Sequence, residues 1–341
     1  MTKILLIGPA PNNIGGISVH LRRLTELLGD IYAFSIIDEG RKHWDGIYNI
    51  RSLDVRRYFQ MIKDADVVHI HSGVWVLRLY HILCCKILLH KRTLVTVHRD
   101  PSIESFSWVT KYFLSLCDTV IAVNDKGYQF LLKRSKCKYY HLPAFIPPNI
   151  EAEPQLPAII TTWLDRCREN PNNIILCSNA WNLVFHNGVD LYGLDICIDA
   201  MARLNKADNN YFLVFILASN TDHQELLIQY KSKIKKFGLS DNILIYESPA
   251  SFVRLLNKCD IVLRCTNTDG DAISIREALY FGKSVIASDV IERPEGTILF
   301  KTRDETDLAK KINECVPFGK SNCNEELNYR NIYIDIYSNV L

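Results

Sequence analysis

Between Arg264 and Leu279 the sequence reads RCTNTDGDAISIREAL, which places Asp269 and Asp271 in a glycine turn and Glu277 in the helix that follows. A carboxylate accepts hydrogen bonds from neutral hydroxyls at both oxygens. If the turn folds back over the helix N-terminus, Asp269 and Glu277 reach one ligand and can grip a polyol. The amides of Gly270, Asp271, Ala272 and Ile273 would then face phosphate oxygens at the positive end of that helix. An Asp-capped surface helix would use the same letters, and that alternative stays open.

A second glycine turn, GPAPNNIGGIS from Gly8 to Ser18, has neither the GxGxxG fingerprint of a dinucleotide fold nor the Gly-Lys-Ser/Thr ending of a P-loop. A simple dehydrogenase or ATPase is therefore disfavoured. Gly15 and Gly16 still let backbone approach a ligand, and a helix starting near Ser18 would aim free N–H groups at it. His98 closes a strand and is followed by Arg99, Asp100 and Pro101, a polar cluster suited to a ligand or to a core imidazole satisfied by Asp100. Arg293, in the run RPEG, offers a cation after another strand end. His69 and His71 share one strand face, but no third ligand at metal-like spacing accompanies them, so no metal site is expected.

The elements that position these residues repeat a single rhythm. Lys3–Gly8 is an apolar run ending in glycine, as a strand buried on both faces reads, and Ile17, His20, Leu21, Leu24 and Leu28 follow at helical spacing. Further strands are expected at residues 31–37, 66–71, 93–98 and 119–123, with helices at 58–65, 77–89, 107–116 and 125–133. Five prolines from Pro143 to Pro157 mark a linker. The rhythm then restarts, with strands at 173–178, 211–217, 243–246, 261–264 and 284–287 and helices at 193–204, 224–237, 250–257 and 274–281. The fold class is α/β, with domains expected at residues 1–150 and 151–324 and a cleft at their strand C-termini. A terminal helix over 325–341 is expected to cross back to the first domain, although the alternation of Ile332, Ile334 and Ile336 also allows a short strand.

A length of 341 residues favours two domains, and 48% hydrophobic with 23% charged residues describes a globular chain rather than a disordered one. A formal net charge of +2 supplies no global field for nucleic acid. Eleven scattered cysteines with no CxxC spacing suit buried thiols in a reducing cytosol. The first ten residues are too short for a signal peptide. Val74–Leu89 is interrupted by Arg78, His81 and Lys86, so peripheral contact with a membrane is a better reading than a span.

Over nearly its whole length the chain resembles the retaining glycosyltransferase family four, which shares the GT-B fold of two facing Rossmann-like domains. Members acting in bacterial capsular, O-antigen or other surface polysaccharide synthesis are the most similar. The resemblance is sharpest at LLIGPAPNNIGGISVHLRRL and at TNTDGDAISIREALYFGKSVIASDVIERPEG.

It implies that Asp269 touches the transferred sugar, Glu277 the nucleotide ribose, His98 the sugar near the reacting carbon, and Gly15 and Gly16 the diphosphate side. It further implies a nucleotide-sugar co-substrate, uridine-linked, with no other cofactor and no metal. The implied acceptor is a lipid-linked saccharide at the inner membrane face of the cell. One departure stands out: in SNAWNLVFHNG the family's Arg and Lys, which neutralise the leaving diphosphate, fall at Asn182 and Asn187. A non-catalytic nucleotide-sugar-binding subunit and a nucleotide-sugar epimerase therefore remain alternatives.

Overall fold

In the computed structural model, residues 1–13, 15–132, 137–206, 210–219, 223–270, 272–315 and 328–341 are described. Asp271, expected in the donor turn, and Ile14, in the first glycine turn, lie outside them. The chain divides into two units, one of residues 1–146 with the terminal segment from 327, the other of residues 147–326.

The first unit is built on a seven-stranded parallel sheet. Its strands are β1 (Thr2–Gly8), β2 (Tyr32–Asp38), β3 (Tyr48–Asn49), β4 (Val67–Ile70), β5 (Arg92–Val97), β6 (Thr119–Ala122) and β7 (Lys138–His141), in the order β3-β2-β1-β4-β5-β6-β7. Ile4 to Ile7 are fully buried because β1 lies between β2 and β4 with its faces covered. The helix Trp75–Ile82 does not run on as an α-helix to Leu89, because its last stretch, Leu83–Leu88, winds as a π-helix. The terminal segment Tyr329–Val340 is a helix, capped by Asn328, that buries Tyr333, Ile336 and Tyr337 in the first unit. Alternation of its isoleucines loses to the 3.6-residue spacing of its tyrosines.

The second unit has six parallel strands, β8 (Ile174–Ala180), β11 (Tyr211–Leu217), β12 (Ile243–Tyr246), β13 (Ile261–Arg264), β14 (Ser284–Ser288) and β15 (Thr297–Phe300), in the order β12-β11-β8-β13-β14-β15. Between β8 and β11 sits an antiparallel hairpin of β9 (Phe185–His186) and β10 (Val189–Asp190). Both sheets reverse their direction of growth beside their first strand, the place where open α/β sheets bind ligands at strand C-termini.

Candidate functional site

The acidic turn of the second unit leaves β13 at Arg264 and enters the helix Ile273–Tyr280. Asp269 folds back onto the end of that strand. Its Oδ2 accepts from Arg264 Nε at 2.9 Å, Arg293 Nη1 at 2.8 Å and Thr266 Oγ1 at 3.0 Å. Its Oδ1 accepts from Arg264 Nη2 at 2.9 Å and from the Gly270 amide at 3.0 Å. A carboxylate has about four lone-pair sites, so these donors leave none for a sugar hydroxyl. Asp269, expected to grip a polyol, holds two arginines in this structure. Burial raises its pKa, but Arg264 and Arg293 outweigh burial and bring it down to about 2.

The two arginines differ. Arg293, expected as an open cation, has a side chain only 2% exposed. Its Nε donates to the Ser288 carbonyl and its Nη2 to Thr266 Oγ1 and Ser288 Oγ, so it ties the turn to the end of β14. Arg264 lies over the Tyr192 ring at 5.4 Å and turns its Nε and Nη2 to Asp269. Its Nη1 edge makes none of these bonds. Two guanidinium groups on one carboxylate leave the cluster with a net positive charge. The N-cap of the adjoining helix is Ala272, whose methyl side chain cannot cap the first amides. Gly270 is exposed but already spends its amide on Asp269, whereas Ile273 stands at the first turn of the helix. Glu277 is buried on the same helix, at 6% exposure.

The hairpin β9-β10 docks on this turn. Asn267 donates from its amide to the Leu191 carbonyl at 3.0 Å and from Nδ2 to the His186 carbonyl at 3.3 Å. Gly193 completes the join, because a Cβ there would lie 2.3 Å from the Cys265 carbonyl oxygen. The structure also accounts for one of the two unusual asparagines. Asn187 and Gly188 are the two turn residues of the hairpin with φ of 52° and 78°, the left-handed pair that an Asn-Gly turn accommodates and a lysine does not favour. Asn182 is fully buried.

In the first unit Gly15 is the N-cap of the helix Gly16–Leu28, with φ 151° and no side-chain cap, and both Gly15 and Gly16 are exposed. A side chain at Gly15 would be strained by that φ. The preceding turn is held by Asp38, a residue that no motif in the sequence marks. Its Oδ1 accepts from the amides of Ala10 and Gly40 at 2.8 Å each, and its Oδ2 from Asn49 Nδ2 at 2.9 Å. The end of a buried strand was a usable clue to Asp38, but its partners lie in two separate loops and at the end of β3. His98, half-buried past the end of β5, belongs to a cluster with His20, His69 and His71. No group of three or more His, Cys, Asp or Glu suited to a metal ion occurs among the described residues.

The two Rossmann-like units give the chain the GT-B fold. Residues 183–318 match the family described as Glycosyl transferases group 1. The chain is similar in structure to HepE of Anabaena in complex with UDP, at 17% identity and a TM-score of 0.65, over 92% of this chain and 90% of that one. It is similar to a glycosyltransferase from Rickettsia africae at 18% identity and a TM-score of 0.65, over 92% and 88%. A third similar structure is the trehalose-6-phosphate protein from E. coli bound with UDP-2-fluoro glucose, at 11% identity and a TM-score of 0.63, over 100% and 96%. No curated protein matches by sequence. The structural likenesses carry the fold, and the matched domain supports a glycosyltransferase.

Proposed function

We propose that the protein is a retaining glycosyltransferase that moves a hexosyl group from a UDP-linked donor to a hydroxyl of a polyprenyl-diphosphate-linked saccharide in surface polysaccharide synthesis. The observation that carries this reading is the net-positive Arg264–Asp269–Arg293 cluster beside an uncapped helix that also bears Glu277. Breaking the anomeric bond puts negative charge on the departing diphosphate. Arg264 Nη1 and the first amides of the helix Ile273–Tyr280 meet that charge without needing a cation at Asn182 or Asn187. On this reading the reaction runs without a metal. Glu277 accepts from the ribose hydroxyls, His98 contacts the transferred sugar, and Asp269 acts as a positioning residue that aims Arg264.

Similar structures were obtained with UDP and with UDP-2-fluoro glucose, which favours UDP-sugars as the first donors to try. Incubation of pure protein with a panel of nucleotide sugars is expected to release nucleoside diphosphate slowly from the true donor. Glu277→Ala should weaken UDP binding by about 10- to 100-fold, the worth of one or two charge-assisted hydrogen bonds. Unchanged affinity removes the ribose assignment. Tight binding with no turnover in the presence of acceptor would instead mark a non-catalytic subunit, and an isomerised sugar an epimerase.

A lipid-linked acceptor requires a place on the membrane, and one face of the first unit suits it. Val76, Tyr80, Leu83 and Ile87 recur along one side of the helical stretch from Trp75, all exposed. Trp108 and Tyr112, 73% and 60% exposed, extend from the helix Ser107–Ser115, and a Trp75–Phe106 ring contact ties the two segments together. From Val67 to Arg99 the sequence has Arg78, Lys86, Lys91, Arg92 and Arg99 but no Asp or Glu. Arg78 and Lys86 are paired with Glu104 and Asp118, whereas Lys91, Arg92 and Arg99 make no ion pair with a carboxylate among the described residues, and aromatic and aliphatic side chains beside such cations fit an anionic lipid surface. No described helix is long and apolar enough to cross a membrane. The protein should sediment with phosphatidylglycerol vesicles and not with phosphatidylcholine vesicles, and Trp108→Ser with Tyr112→Ser should release it. Equal recovery of wild type and variant, or a dimer that the same changes dissociate, turns the surface over to another role.

A further inference from the structure

His71 is fully buried just past β4, and its Nδ1 lies 3.1 Å from His98 Nε2. Its backbone amide donates to the Ile7 carbonyl at 2.7 Å, and its Cβ packs on Gly8, where an added Cβ would come within 3.1 Å. The His69 ring lies on its other side, 3.9 Å between centroids. His71 is therefore held by its backbone bond, by packing on Gly8 and by the tilted ring of His69, while His98 is half-buried.

We infer that His71 is a positioning residue for His98: its bond to Nε2 sets the ring of His98 and leaves Nδ1 as the edge offered to a ligand. The direction of the bond follows from the other nitrogen of His71. That atom, Nε2, is buried with no hydrogen-bond partner. If His98 donated the shared proton, neutral His71 would carry its own proton on Nε2, a buried donor with no acceptor. If His71 donates from Nδ1, Nε2 keeps only an unused lone pair, the less costly defect. The proton of neutral His98 then sits on Nδ1, so the exposed edge is a donor for a sugar hydroxyl or ring oxygen.

Both rings are neutral at ordinary pH. Burial pushes their pKa values well below the usual histidine range, with His20 and Arg78 adding to the effect at His98, and His69, His20 and His98 at His71. The groups facing the pair are His20 from the helix Gly16–Leu28, His69 from β4 and Arg78 from the helix Trp75–Ile82.

The inference rests on the assignment of His98 to the transferred sugar, and two readouts separate the two claims. The first is the histidine nitrogen NMR spectrum of the full chain. His98 should read as the Nδ1–H tautomer in wild type and as a tautomer mixture in His71→Leu. An Nε2–H reading of His98 in wild type, or identical spectra in both proteins, overturns the inference, and the wild-type spectrum decides alone if the variant does not fold. The second is turnover of the donor. His71→Leu should lower kcat by about 10- to 100-fold, the scale of a misplaced reacting group, with donor KM little changed. His71→Asn, whose amide nitrogen stands near the place of Nδ1, should restore most of it. A folded His71→Leu with wild-type kcat overturns the positioning role. If His98→Ala itself turns over normally, the sugar assignment of His98 is what has failed, and the spectra still test the contact.

Discussion

Acidification from pH 7.5 to 5 is expected to unfold the first unit ahead of the second. His20, His69 and His71 are buried and His98 half-buried in the first unit, whereas His186 and His223 of the second are partly exposed. Burial lowers the pKa of all four in the cluster. His20 falls to about 4, with the Ala144 carbonyl opposing and Arg23 adding. His69, His71 and His98 lie well below the usual value. Below pH 6.5 the unfolded chain takes up protons that the folded chain refuses, so stability is full above that pH and is lost as pH falls towards the folded values. Each such histidine contributes up to about 1.4 kcal/mol per pH unit below 6.5, so His20 alone accounts for about 2 kcal/mol by pH 5. Hydrogen exchange and thermal melts at stepped pH should show protection lost first in β1, β4 and β5. His69→Gln should make the pH slope shallower by about one proton. A melting temperature flat from pH 7.5 to 5, or earlier loss of the second unit, rules this out.

Asp269→Ala should destabilise the ligand-free second unit by about 3 to 5 kcal/mol, the cost of stranding buried charge by removing one partner. Arg293 is 2% exposed and Arg264 15%, and both lean on that carboxylate. A residue that only touched a sugar would leave the empty protein's melting temperature unchanged, which makes the unliganded melt the deciding measurement. Asp269 has a folded pKa of about 2, below its unfolded value of 3.8. Its stabilisation is therefore complete above about pH 4 and fades only as pH falls through 2, so acid loss near pH 5 belongs to the histidines. On the proposed function, loss of transfer in Asp269 variants has to be read beside this melt, since a collapsed arginine pair would remove the proposed phosphate contact as well.

The long buried strands were legible because a strand covered on both faces must be continuously apolar, as in ILLI of β1 and FLVFIL of β11. The short or outer ones were not. Lys138–His141 has exposed ends and no apolar run, Tyr48–Asn49 spans two residues, and Thr297–Phe300 follows a proline turn at the sheet margin. The helix Ala158–Cys167 was hidden behind the proline run, although Pro157 is its N-cap. Arg264, Asp269, Glu277 and Arg293 were all found as letters in one region. What they do to one another was not, because the contact between Asp269 and Arg293 spans 24 positions.

The sequence alone determined that two parallel α/β units would form and that carboxylates, arginines and glycines would gather at strand ends, since apolar runs and turn residues act over a few neighbours. Only the tertiary structure decided that Asp269 spends its lone pairs on arginines. It alone brought His69 to Tyr337, 268 residues away, with 2.8 Å between Nδ1 and the hydroxyl. A polar atom has few bonding positions, and which partner fills them depends on distance in space, which no local pattern encodes.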